Sequence, residues 1–196
     1  MTTLPFRCLL LAGVFLTASA YPGDEAEALT LLPGDDAPPL QFAIYDGAAS
    51  APEWSQLRGR IAVLDFWASW CGPCIKAIPH MDNLKKRFAD RPVDFFSITY
   101  ETKAMVAKSL ARHPMSSQVG MDRGFTTFKS YRAWGIPMIV LVDGQGKVAA
   151  VMNPKDLKAA HITALLGGET LKFEAHPGWP DPRGAEEYFR SLLEKE

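Results

Sequence analysis

Ile61-Ala62-Val63-Leu64-Asp65-Phe66 runs straight into Trp67-Ala68-Ser69-Trp70-Cys71-Gly72-Pro73-Cys74. The first half is almost wholly apolar, as a strand buried on both faces must be. The second half holds two cysteines with a Gly-Pro pair between them. A strand that turns into a helix here sets the first thiol at a helix N-terminus. Unpaired backbone N–H groups and the macrodipole there favour thiolate over thiol. Cys74 then falls inside the first turn, close enough to attack a mixed disulfide on Cys71. Position and spacing fit thiol–disulfide exchange.

The rest of the composition narrows the setting. A chain of 196 residues with 47% hydrophobic content suits one ordinary domain plus appendages. A formal net charge of −1 gives no footing to nucleic-acid or anionic-membrane binding. Residues 1–20 read as a secretory signal peptide. Arg7 precedes the apolar run Cys8–Leu16, and Thr17-Ala18-Ser19-Ala20 supplies small residues for cleavage after Ala20. The run is well short of the roughly 20 residues needed to span a bilayer. Cys8 lacks the small residues upstream that a lipoprotein processing site carries. Cleavage leaves Cys71 and Cys74 as the only cysteines, too few for a disulfide framework. The pair is then a working site.

Along the chain, Tyr21–Pro39 reads as a loose lead-in rich in Pro, Gly and Asp. Leu40–Tyr45 reads as a strand and Trp54–Leu57 as a second short piece. Ile61–Phe66 follows as the central strand, then a helix from Gly72 to Ala89 that Pro79 should kink. Val93–Thr99 is the next buried strand and Thr102–Arg112 a helix. A short strand near Val119 and a short helix over Phe125–Trp134 come next. Met138–Val142 and Lys147–Met152 flank the turn Asp143-Gly144-Gln145-Gly146 as a hairpin. Asp156–Leu166 closes as a helix stopped by Gly167-Gly168. This order implies an α/β fold: a central mixed sheet with helices on both faces. The division is a signal peptide (1–20), a flexible lead-in (21–34), the domain (35–168) and an extension (169–196). Ala185–Leu193 in the extension is expected to form a short amphipathic helix.

With strand, Trp-Cys-Gly-Pro-Cys and helix in place, the chain resembles thioredoxin-fold proteins, and among them the exported TlpA/ResA-type thiol–disulfide oxidoreductases. Leu64–Cys74, then Trp134-Gly135-Ile136-Pro137, then Leu141–Lys147 carry the resemblance, which spans roughly residues 35 to 167. It implies the thioredoxin fold and a domain that needs no cofactor or metal. Cys71 is then the nucleophile and Cys74 the resolving thiol of one redox-active disulfide. A zinc site would need two more ligands; His80 lies on the same helix, and no second Cys-x-x-Cys exists.

Asp65 lies in an apolar strand, where an unpaired carboxylate is costly and its pKa rises. Thioredoxins carry an aspartate at the matching place, which makes Asp65 the candidate acceptor of the Cys74 proton. An edge position open to water is the plain alternative. TlpA/ResA-type proteins commonly have a glutamate three residues after the second cysteine, and Ala77 stands there instead. Pro137 after Ile136 resembles the cis-proline facing the active site in this fold. A cis turn there exposes the Ile136 backbone to an extended substrate. Met138 replaces the usual threonine. Trp70, Gly72 and Pro73 shape the rim around the thiols.

Gly-Pro between the cysteines resembles the reducing members of the fold. The reading is a periplasmic or otherwise exported monomer that reduces protein disulfides and draws electrons from a membrane-bound donor. Two rivals stand beside it. One is a thiol peroxidase of the redoxin group, the other a copper-binding or delivery module using Cys71, Cys74 and a histidine such as His161.

Overall fold

The computed structural model describes residues 31–45 and 50–172. The signal peptide and the helix expected at Ala185–Leu193 lie outside the described residues.

Two long strands carry the fold. β2 (Ile61–Phe66) is buried at every position, and β3 (Val93–Thr99) from Phe95 onward. β1 (Ala43–Ile44) precedes them, and β4 (Gln118–Met121), β5 (Met138–Val142) and β6 (Val148–Met152) follow, giving the order β1-β4-β3-β2-β5-β6. β4, β3 and β2 run parallel; β1, on β4, and β5, on β2, run antiparallel, and so does the β5–β6 hairpin. β2 therefore sits in the middle of a mixed sheet, with β3 on one side and β5 on the other.

Alternation along β2 divides the core. Ala62, Leu64 and Phe66 join one apolar cluster; Ile61 and Val63 join the other. α1 (Gly72–Arg87) and α4 (Ala159–Leu166) cover the second face through Met81, Leu84, Ile162 and Leu165. α2 (Lys103–Leu110) and α3 (Thr126–Ser130) cover the first through Val106 and Phe128. Helices on both faces are thus as expected, and β2, β3 and β5 match the sequence reading residue for residue.

Several shorter elements differ. Of the strand expected over Leu40–Tyr45, two residues pair, although Leu40 and Phe42 are buried. Phe42 lies across Gly120, where a Cβ would come within 2.6 Å of the ring, so the β1–β4 edge requires glycine at 120. The strand piece expected at Trp54–Leu57 is a 3-10 turn, held by the Glu53 N–H donating to Gln56 Oε1 at 2.8 Å. The helix expected over Phe125–Trp134 is five residues long, because Phe125 and Arg132 both adopt left-handed backbone (φ 54°) and close its ends. The last helix starts at Ala159, after a 3-10 turn at Pro154–Asp156. The described part of the lead-in is bonded, not loose. Gly34 N–H donates to Val148 O (2.8 Å), Val148 N–H to Asp35 O (2.9 Å), and Pro38 O accepts from Trp54 Nε1 and Tyr131 Oη.

Candidate redox site

β2 ends at Phe66, opposite Met138 at the start of β5. The loop Trp67–Trp70 and the Gly135–Pro137 turn therefore leave the sheet side by side. Trp67 N–H donates to Ile98 O (3.0 Å), which extends the β2–β3 ladder one step. Cys71 is the N-cap of α1, with Gly72 and Pro73 opening the helix, where a missing N–H costs nothing. Its Sγ accepts the backbone N–H of Cys74 at 3.2 Å. The two sulfurs are joined as a disulfide, with Cα atoms 5.2 Å apart. Both cysteines are buried, at 3% and 4% exposure, while Gly72 and Pro73 lie exposed above them. Lys85, Lys86 and Arg87 at the other end of α1 complement its dipole.

The rim is asymmetric. Trp70 is 59% exposed, its Nε1 donating to the Tyr100 hydroxyl at 3.0 Å. Tyr100 stacks on Phe125, ring centres 4.5 Å apart. Across from it the Ile136–Pro137 peptide bond is cis, as the resemblance implied. Ile136 packs against the apolar cluster that contains both cysteines.

Asp65 lies on the face of β2 that α1 covers, in the parity of Ile61 and Val63. It is 7% exposed and flanked by β3 and β5, which removes the reading of an edge aspartate in water. Burial pushes its pKa up to about 7, against the smaller lowering effect of the Ser97 hydroxyl, which donates to Oδ2 at 3.3 Å. Ser97 Oγ also hydrogen-bonds Ser117 Oγ at 2.7 Å, so a line of hydroxyls leads from the buried carboxylate to a half-buried serine. Ala77, where the relatives' glutamate would stand, is half-buried on α1.

Glu101 is a site residue that the sequence reading missed. It is 2% exposed and holds the loop ahead of Cys71: its carboxylate accepts the Ser69 N–H and the Ser69 hydroxyl, both at 2.6 Å. No spacing signal marks it, because its partner lies 32 residues away across the β2–β3 pairing.

The rivals find less here. The Ser69 hydroxyl, in the loop where a peroxidase would need a free hydroxyl, is committed to Glu101. His161 belongs to α4, and its Nδ1 accepts from Lys158 N–H at 3.2 Å. Among the described residues no group of three His, Cys, Asp or Glu side chains is placed to hold a metal.

Comparison with known proteins agrees with this geometry. The Redoxin family profile matches residues 32–166. A thiol-disulfide oxidoreductase ResA of Bacillus cereus is 28% identical over 129 residues, covering 65% of this chain and 73% of that protein. ResA of Bacillus subtilis is 30% identical over 121 residues, 61% of this chain and 66% of its own. A Chlorobium tepidum structure assigned as thiol:disulfide interchange protein DsbE superposes with a TM-score of 0.63 at 30% identity, over 70% of this chain and all of that one. Its thioredoxin fold is the fold seen here. The Redoxin match covers more than two thirds of the chain: it belongs to the Redoxin family and is a thiol–disulfide oxidoreductase.

Proposed function

We propose that the protein works in the reducing direction, as an exported monomeric reductase of protein disulfides recharged by a membrane-bound electron donor. The observation that carries this reading is the pair itself, Cys71 capping α1 with its Sγ on the Cys74 N–H and Gly-Pro between the two. In the reduced protein the same N–H and the helix dipole favour the Cys71 thiolate over the thiol. The Cys71 thiolate attacks one sulfur of the client disulfide; an S–S bond forms, and the client's other sulfur leaves as thiolate and takes a proton from water. Trp70, Gly72, Pro73 and the Ile136–Pro137 turn hold the client segment over Cys71.

Asp65 then removes the Cys74 proton. Its pKa of about 7 keeps a useful fraction ionised at neutral pH while leaving it basic enough to accept. The Cys74 thiolate attacks Cys71 Sγ, restoring the disulfide and releasing the second client thiol. Two electrons pass to the client, and a donor must return them. The reading of residues 1–20 as a signal peptide supports a site of action outside the cytosol, and with it a donor in the membrane. Among the described residues no helix is long and apolar enough to cross one.

Equilibration of the protein against dithiothreitol or glutathione tests the direction. A potential near thioredoxin's roughly −270 mV is expected. A potential above about −180 mV, toward the roughly −120 mV of DsbA, would sink the reductase reading.

A further inference from the structure

Beside the Ser69 loop runs an open groove of about 250 Å3, lined by Ser69, Met105, Lys108, Ser109, Arg112 and His113. Its position matters because Ser69 precedes Cys71 by two residues, roughly 7 Å of extended chain. Its charge is one-sided. Residues 102–121 contain Lys103, Lys108, Arg112 and His113 and no Asp or Glu, in a protein of net charge −1. Lys108, Arg112 and His113 line its open side.

Helix stability accounts for part of this. Lys108 and Arg112 sit at the C-terminal end of α2, where cations suit the dipole. Lys103, directly after the Thr102 cap, lies over the Tyr45 ring, its Nζ 5.6 Å from the centroid, and does not line the groove. The nearest carboxylate in sequence, Glu101, is buried, with its oxygens taken by Ser69 and Thr99. Two large apolar side chains are exposed nearby, Met105 at 43% in the groove's lining and Trp70 at 59%, next in sequence to the groove's Ser69. Exposed apolar side chains next to a lining of Lys108, Arg112 and His113 form a surface for a chain of matching pattern.

We propose that this groove docks an acidic segment of the client polypeptide, roughly two to four residues from the client cysteine that Cys71 attacks. The client chain crosses Trp70 and Met105 and places its carboxylates against Lys108 and Arg112. The proposal rests on the reading of Cys71 as the attacking thiol.

The test uses pre-reduced full-length protein in single turnover. Its targets are three disulfide-linked peptides that differ only in carrying Glu, Gln or Lys at the positions two to four residues from the cysteine, and hydroxyethyl disulfide as an uncharged small target. The second-order rate constant should be about tenfold higher for the Glu than for the Lys peptide, as two exposed charge pairs allow. The gap should close in about 1 M salt, where screening acts over about 3 Å. K108E/R112E should invert the order and leave hydroxyethyl disulfide reduction unchanged, which also shows that the variant is folded. Equal rates for the Glu and Lys peptides, or an order untouched by the charge reversal, would overturn the groove while hydroxyethyl disulfide still reacts. If the native protein reduces none of the four, the redox reading falls, and the groove proposal with it.

Discussion

Asp65 and Asp122 are both buried carboxylates, at 7% and 1% exposure, yet their surroundings differ in kind. Asp122 sits at the turn into α3 and accepts backbone N–H groups from Thr126 (2.9 Å) and Phe128 (2.8 Å). Burial raises its pKa, but those backbone bonds oppose the rise. Asp65 sits in mid-strand with one long hydrogen bond from a hydroxyl, and burial lifts its pKa to about 7. A carboxylate saturated by backbone donors fastens a turn. One left nearly bare in the core is expensive to ionise, and for that reason exchanges its proton near neutral pH.

The largest effect that separates the two should come from Asp65→Asn. The folded pKa of Asp65 lies above its unfolded value of 3.8, so the native state binds the extra proton between the two. Its contribution to stability is full below about pH 4, falls as pH rises toward 7, and levels off beyond. Asn escapes that loss. Denaturant unfolding of the oxidised protein should show the variant more stable by on the order of 4 kcal/mol at pH 8 and about equal at pH 4. The same variant should resolve mixed disulfides roughly a hundredfold more slowly at pH 8, without the native rise in rate through about pH 7. A variant with native kinetics and native pH dependence would make Asp65 a buried bystander.

Asp122→Ala should do the opposite. Stripping the Thr126 and Phe128 N–H groups of their acceptor should cost about 2 kcal/mol. The loss of stability between pH 4 and 7 should become shallower but persist, since Asp65, with the larger shift, carries most of it. If instead that slope vanished, the contrast would be assigned to the wrong aspartate. The smallest effect is expected from Ser97→Ala. Losing its hydroxyl should move the Asp65 pKa further up and cost about 1 kcal/mol at pH 8, where the carboxylate is charged, and little at pH 4. The kinetic limb should shift upward with it. A limb that stays in place would show that Ser97 does not tune the carboxylate.

Much of this was legible in the sequence because it is local. Apolar runs of strand length marked β2, β3 and β5 to the residue, and Gly-Pro at the first turn marked the start of α1. Gly167-Gly168 as a stop bounded the last helix for the same reason. What failed depends on distant partners. The 40–45 segment pairs at two residues because Phe42 leaves the edge to cover Gly120, and α3 is clipped by left-handed residues of ordinary type. At the site, the thiols and the cis-proline could be read from motifs, and the burial of Asp65 from its apolar neighbours. Ser97, Glu101 and the basic groove could not. They meet the site only through the β2–β3 register and the packing of α2, which no spacing encodes.

The Cys71–Cys74 bridge spans a sequence separation of three. Closing so small a ring removes little freedom from the unfolded chain, worth ~2 kcal/mol in the loop-entropy picture. Opening it accordingly takes little from the native state. The domain's cohesion therefore rests mainly on its two apolar clusters, and the redox state of the sulfurs changes it only by about that small amount. A molecule built this way can gain and lose its electron pair over many cycles without risking its own architecture, as thiol–disulfide exchange requires.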